Sequence, residues 1–253
     1  MTGLPGFDVL LSRLAEHREL CVADLSRLSS VPEDELRAVL DGAAPGPSLL
    51  RRLAPVFHLE AEDLFVIADV ALPLEMTPLD PHAGTIVARL AWHAAQLPQD
   101  QRDRLRRIAQ SLPQERRIKP PPLEPRAYLQ YPPGPGGLLV RLLANRNLGW
   151  SAAAKTFLPL TGRYWDAATY GQVGRGLIEL TPDLLADYAI VLGIRASDLA
   201  ALTGVELRDG TTSPTETVID VTALIWDARR LTRDQVQHLS DAARDMHGAR
   251  GYS

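Results

Sequence analysis

Residues 10–20, LLSRLAEHREL, and residues 138–148, LLVRLLANRNL, share the pattern LLxRLxxxRxL, and the rest of the chain falls into place around that match. Outward from it, Gly42 pairs with Gly176, and Leu50, Leu59 and Leu64 pair with Leu185, Ile194 and Leu199. Trp92 and Leu97 then pair with Trp226 and Leu231. The spacing between partners hardly drifts. Its one large change falls between Leu20 and Gly42, so the second copy carries a longer segment before its third helix. Self-similarity at a fixed period is the mark of an internal duplication. Between the copies, 113–137 reads PQERRIKPPPLEPRAYLQYPPGPGG, with eight of the 20 prolines and almost no apolar periodicity, as expected of an extended, semi-rigid linker.

Both copies read as helix throughout. Leu10, Leu11 and Leu14, then Leu25 and Leu28, then Leu36, Val39 and Leu40 recur at helical spacing, interrupted by SSVP (29–32) and GAAPGP (42–47). Four or five short helices are expected per copy, the third ending at Gly42 or Gly176 and the fourth opened by Pro47-Ser48 or Thr181-Pro182-Asp183. A helical pair follows, 84–97 with 99–112 and 217–230 with 233–246. Ile86, Leu90, Ala94 and Leu97 form one apolar stripe, and Val221, Leu224, Ala228 and Leu231 its counterpart. Thr232 to Gln235 has capping-box form, which places a helix start there. No stretch reads as a credible strand, so the fold class expected is all-α.

Composition narrows the function classes. The chain has 253 residues, 45% of them hydrophobic and 23% charged, enough to bury proper cores. One cysteine, Cys21, excludes a disulfide framework and a Cys-based zinc site. Six scattered histidines make no metal-ligand spacing, so neither metal nor cofactor is expected. The N-terminal MTGLPGFDVLL is no basic leader, and no window approaches the ~20 apolar residues of a membrane span, so a cytoplasmic protein without membrane contact is expected. Lys119 and Lys155 are the only lysines among 27 cationic residues, the codon signature of a GC-rich genome of the actinobacterial kind. The net charge of −4 is uneven: 1–74 holds 6 Arg against 12 Asp and Glu, whereas 75–136 holds 9 Arg and Lys against 6 acids. No piece is strongly basic, so nucleic-acid binding would have to rely on a local cluster.

The run CVADLSRLSSVPEDELRAVLDGAAPGPSLLRRLAPVFHLEAEDLF (21–65) resembles the helix-turn-helix domain of the lambda-repressor/XRE type. LGWSAAAKTFLPLTGRYWDAATYGQVGRGLIELTPDLLADYAIVLGIRASDL (148–199) is similar, with a longer turn between its second and third helices. With the helical pair added, each half is similar to the EspR-like nucleoid-associated regulators. The resemblance implies two helix-turn-helix domains, 1–74 (diverged and acidic) and 138–205, each followed by an antiparallel helical pair, 75–112 and 206–253. It also implies a DNA-binding transcription regulator in the nucleoid. In such domains the third helix enters the major groove, and helix N-termini offer N–H groups to phosphates.

On that reading Tyr170 and Val173 are the core residues of the second copy's third helix, leaving Thr169 and Gln172 to face base edges. Arg163, Tyr164 and Arg175 lie at its ends, while Ser151 and Lys155 reach the phosphate backbone from the second helix. The first copy has Glu33, Asp34 and Glu35 where the second has Ala167, Ala168 and Thr169, and Asp41 opposite Arg175. Those acids face the phosphates, so weak DNA binding or none is expected of the first copy; they are also what the first turn of a helix prefers on dipole grounds alone. Tyr164 reads equally as a DNA contact and as a loop-packing residue, and Trp165 more readily as a loop-packing residue. Trp92 and Trp226 read as packing residues of the helical pair, and 101–107 as a solvated helix face. Gly171 to Gly176 has the order GxxGxG with no strand before it, which is no dinucleotide fingerprint.

No GxSxG elbow, P-loop, HExxH or DxDxDG loop occurs, so an enzyme is not expected. Double-stranded DNA is the expected partner. The alternative is an interaction protein whose acidic N-terminal domain takes a protein partner, with no DNA contact. The helical pairs offer two assemblies, packing on each other within one chain or pairing between chains as a homodimer.

Overall fold

A computed structural model describes residues 3–115, 130–208 and 213–248. All regular structure among the described residues is helical, and no strand occurs there. The first half runs α1 (Phe7–His17), α2 (Val22–Ser29), α3 (Glu33–Leu40), α4 (Pro47–Leu53), a 3-10 turn at Ala54–Phe57, and α5 (Ala61–Ile67). Two further 3-10 turns lead to α6 (Gly84–Ala94) and α7 (Gln99–Ser111). The second half repeats the order with α8 (Pro135–Asn145), α9 (Trp150–Thr161), α10 (Ala167–Gly174), α11 (Pro182–Leu192), α12 (Ala196–Thr203), α13 (Glu216–Ala228) and α14 (Arg233–Gly248). Most of the Pro-rich stretch, 116–129, lies outside the described residues. Its last residues, Pro135 to Gly137, are already the first turn of α8.

Helix ends follow local chemistry. Thr181 caps α11 by accepting from the Leu184 N–H at 3.3 Å, and Pro182 occupies the first helical position, where its missing N–H costs nothing. At the start of α14 the Gln235 side chain accepts from the Thr232 N–H at 2.9 Å, and the Thr232 hydroxyl accepts from the Gln235 N–H at 3.3 Å, the reciprocal box expected there. Backbone turns recur in both halves. Left-handed φ values pair off as Glu19 with Asn147, Ser30 with Gly162, Gly42 with Gly176, His58 with Gly193 and Asp69 with Gly204. Ser30, His58 and Asp69 hold without glycine a conformation that costs an L-residue about 1 kcal/mol or more.

The halves interlock. α1 packs on α12 and α5 on α8, so the first helix of each half is covered by the fifth helix of the other. Polar contacts follow the same exchange. Arg18 donates to Asp198 at 2.8 and 2.6 Å, and Arg146 to Asp63 at 2.9 and 2.7 Å. Within its own half, Arg18 also donates to the Phe57 carbonyl at 3.0 Å and Arg146 to the Leu192 carbonyl at 3.1 Å. These are positions that the sequence comparison pairs.

α6, α7, α13 and α14 form a four-helix bundle in which α6 lies against α14 and α7 against α13. Ile86, Leu90, Ala94 and Leu97 are buried in it, as are Val221, Leu224, Ala228 and Leu231, so the two stripes cover each other within one chain. The run 101–107 differs from the solvated face expected of it. Arg102 is only 6% exposed and donates to Asp220 at 2.9 Å, and Arg106 donates to Asp227 at 2.9 Å, because α13 brings carboxylates over that face. Stripes that cover each other within one chain are not free to pair between chains. Light scattering at micromolar concentration should therefore give a mass near 27.7 kDa, and a mass of twice that would mean that another surface drives association.

The two halves differ in one large contact: α6 also packs along α9. At its start α6 meets the turn between α8 and α9 at a closeness that only glycine permits, since a Cβ on Gly84 would overlap the Asn147 carbonyl oxygen. The Asn147 side chain donates to the Asp80 carbonyl at 2.7 Å beside it. Trp92 of α6 stays 45% exposed, contrary to the packing role expected of it. Its counterpart Trp226 does pack, with the Arg146 guanidinium 5.0 Å and the Arg229 guanidinium 4.3 Å from its ring centre.

Candidate nucleic-acid interface

Eight residues, Ala167–Gly174, make α10, and their side chains divide sharply by face. Tyr170 and Val173 are buried, as their spacing predicts. Phe157, Tyr170 and Tyr188 meet edge to face with ring centres 4.9 to 6.0 Å apart, tying α10 to α9 and α11. Among the described residues the buried Tyr170 and Tyr188 hydroxyls have no hydrogen-bond partner, and burial pushes both phenols well above their usual range. They stay neutral and act as packing groups.

Glycine lets α10 lie close to its supports. A Cβ on Gly171 would come 2.7 Å from the Trp150 ring, and one on Gly174 2.7 Å from the Tyr131 ring. The indole N–H of Trp150 donates to the Tyr131 hydroxyl at 2.6 Å, so the two rings form one platform beneath the helix. Neither aromatic figures among the expected site residues. The signal was present, however: an apolar ring at the start of α9 and two glycines spaced by three in α10.

On the other face, Gln172 is exposed and Thr169 half-buried. Asp166 caps the helix, accepting from the Ala168 N–H at 2.8 Å. At the C-terminal end, Arg175 lies with its guanidinium 5.1 Å from the Trp150 ring centre, partly buried and held in a stacked pose. Ser151 and Lys155 are exposed one turn apart on α9. Lys155 stands toward a groove shared with Arg89, Trp92 and Arg233, at the seam where α6 meets α9. Tyr164 is 65% exposed in the turn before α10, whereas Trp165 turns inward and donates to Asp187 at 2.7 Å.

Arg163 is less available than the sequence reading assumes. Its guanidinium lies 3.6 Å from the Asp183 and 3.7 Å from the Asp187 carboxylate, both on α11. Burial raises the Asp187 carboxyl, while Trp165 and Arg163 pull it back down. Arg163 thus serves the packing of α11 against the turn as well as any ligand. Thr169, Gln172 and Arg175 lie along α10 and its end, Ser151 and Lys155 along the exposed side of α9, and Tyr164 and Arg163 in the turn between them.

The corresponding surface of the first half has the opposite sign. Glu33, Asp34 and Glu35 occupy the first turn of α3, with Arg37 paired to Glu33 on the helix itself. Arg27 is paired to Asp24 at 3.1 Å, which neutralises a cation of α2 as well. No group of His, Cys, Asp and Glu side chains suited to a metal ion occurs among the described residues, and no helix among them is long and apolar enough to cross a membrane. No family model, no curated protein and no solved structure matches this chain.

Proposed function

We propose that the chain is a DNA-binding transcription regulator or nucleoid-associated protein of the nucleoid, built of two helix-turn-helix units, in which the α9–α10 unit contacts DNA. The observation that carries the reading is the division of α10 into a buried aromatic face and an outward face with Thr169, Gln172 and Arg175. These groups donate hydrogen bonds, and α10 carries no acid between Ala167 and Gly174. A rigidly supported helix with donors outward is what a major groove accepts. α3, with three acids in its first turn, is the unit that stays off DNA.

Binding to random and genomic duplexes, titrated with salt, tests the reading. The log-log slope should be about −0.9 for each phosphate contacted. Arg175→Ala should flatten it by about one unit across all sequences, and Gln172→Ala should change the sequence preference at a near-constant slope. A slope unchanged in Arg175→Ala would remove α10 as the contact. A second reading, a protein-binding scaffold, draws on the exposed apolar groups around α10: Tyr164 at 65%, Leu177 at 70% and Ile178 at 38%. It requires that no saturable DNA binding occur at low salt.

The acidic unit makes a separate prediction. Changing Glu33, Asp34 and Glu35 to Ala, Ala and Thr should raise non-specific DNA affinity several-fold at low salt, since each like-charge contact removed is worth up to ~1 kcal/mol. The whole chain must be used, because α1 and α5 bury their faces against α12 and α8 of the other half. Unchanged affinity would mean that geometry, rather than charge, keeps α3 off DNA.

A further inference from the structure

Between the start of α5 and helices α11 and α13 lies a cavity of about 360 Å³, within the range that holds small organic ligands. Its walls are largely apolar, with Leu59, Ala189, Ile190, Val218 and Trp226 among them. Asp63 and Arg146 also reach it, but they are committed to each other at 2.7 Å and to Asn145 and the Leu192 carbonyl.

Two other lining groups are different. Glu60 and Arg195 are exposed, and among the described residues neither side chain makes an ion pair or hydrogen bond. They occupy paired positions in the two halves, each immediately before a helix, α5 and α12, without capping it. Desolvation, with Asp63 and Glu62 nearby, pushes the Glu60 carboxyl upward, and the Arg146 and Arg229 guanidinium groups, both bonded to other partners, offset this only in part, so a cation held directly against Glu60 is still favoured. An apolar chamber with one unpaired charge of each sign matches a molecule that carries both charges on an apolar body. A simple amine would leave Arg195 unused. A simple carboxylate would leave Glu60 unused and face repulsion from it.

We infer that this cavity binds a free apolar α-amino acid, its ammonium group on Glu60, its carboxylate on Arg195 and its side chain among Ile190, Val218 and Trp226. The site stands apart from the α9–α10 surface and does not depend on the DNA reading. Trp226, already stacked on Arg146 and Arg229, offers a fixed wall to an aliphatic or aromatic side chain.

Calorimetry on the whole chain with three probes tests it: L-phenylalanine, phenethylamine (ammonium only) and 3-phenylpropionate (carboxylate only). L-phenylalanine should saturate and bind roughly tenfold tighter than either analogue, the effect of one charge-assisted hydrogen bond. Glu60→Gln should weaken L-phenylalanine by a similar factor while 3-phenylpropionate binds no more weakly, since it loses only repulsion, and Arg195→Gln should likewise weaken L-phenylalanine while phenethylamine binds no more weakly. Ala189→Trp should remove all binding by filling the chamber; should it fail to fold, the two exposed-site variants still decide. No saturation by L-phenylalanine up to about 10 mM, or analogues that bind as tightly as the amino acid, would overturn the proposal.

Discussion

Asp63→Ala should destabilise the protein by about 3–5 kcal/mol, the usual cost of stripping one partner from a buried ion pair. The Asp63 side chain is 1% exposed and that of Arg146 4%, so water cannot replace the lost carboxylate. Arg146 would keep its bonds to the Leu192 and Leu142 carbonyls but bury an uncompensated charge, and the Asn145 amide would lose the Asp63 oxygen it donates to at 3.1 Å. For a chain of this size each kcal/mol is worth about 2–4 °C, so thermal unfolding should move down by on the order of 10 °C. Arg18→Ala, which leaves the Asp198 carboxylate, 1% exposed, with only His17 at 3.9 Å beside it, should also destabilise the protein, because it breaks the matching pair on the other side of the same exchange. Replacing both partners, as in Asp63→Leu with Arg146→Met, should recover most of the loss, since the desolvation cost disappears with the charges. A single-variant loss below about 1 kcal/mol would show that the pair is hydrated in solution and does not lock the halves together.

The residues that make that pair show what the sequence does and does not reveal. LLxRLxxxRxL contains Arg18 and Arg146 at matching positions, so the repeat itself is legible. Helical spacing says which face of α1 or α8 is buried, and Tyr170, Val173 and both bundle stripes are found where it puts them. It says nothing of what covers the face. That α12 rather than α5 covers α1 depends on contacts between residues as far apart as Arg18 and Asp198, and no local pattern encodes them. Arg102 was misread for the same reason. Within its own helix it is one of several charges on a polar run, and only the arrival of Asp220 on α13 makes its burial tolerable. At the candidate interface, the exposed donors follow from helical phase, but the hold of Asp183 and Asp187 on Arg163 depends on where α11 docks.

Gly136→Ala should be among the most damaging single-methyl changes in the chain, although glycine to alanine within a helix ordinarily gains up to ~1 kcal/mol from propensity. Gly136 sits in the first turn of α8, facing α10. A Cβ there would overlap the Val173 carbonyl oxygen and lie 2.7 Å from its carbon and 2.9 Å from a Val173 methyl. Two of those three atoms are backbone, so no rotamer change clears the way, and α8 and α10 must move apart. Separating packed helices costs at the upper end of the 1–3 kcal/mol typical of overpacking, about 3 kcal/mol or more here. The displacement would also lift α10 from the Trp150 and Tyr131 rings that Gly171 and Gly174 approach. DNA affinity should therefore fall in the fraction that remains folded. Gly149→Ala is the fitting control, because its added methyl meets nothing within 4 Å and it precedes α9 with φ −75°, which alanine adopts readily; its cost should stay under about 1 kcal/mol. Urea unfolding of the two variants separates the cases, and equal midpoints would mean that α8 and α10 are less closely held than their backbone contact requires. The sequence reading places Gly136 in the linker, where glycine costs nothing and means little. Its contact with Val173 makes it the residue that sets how near the proposed recognition helix lies to the body of the protein.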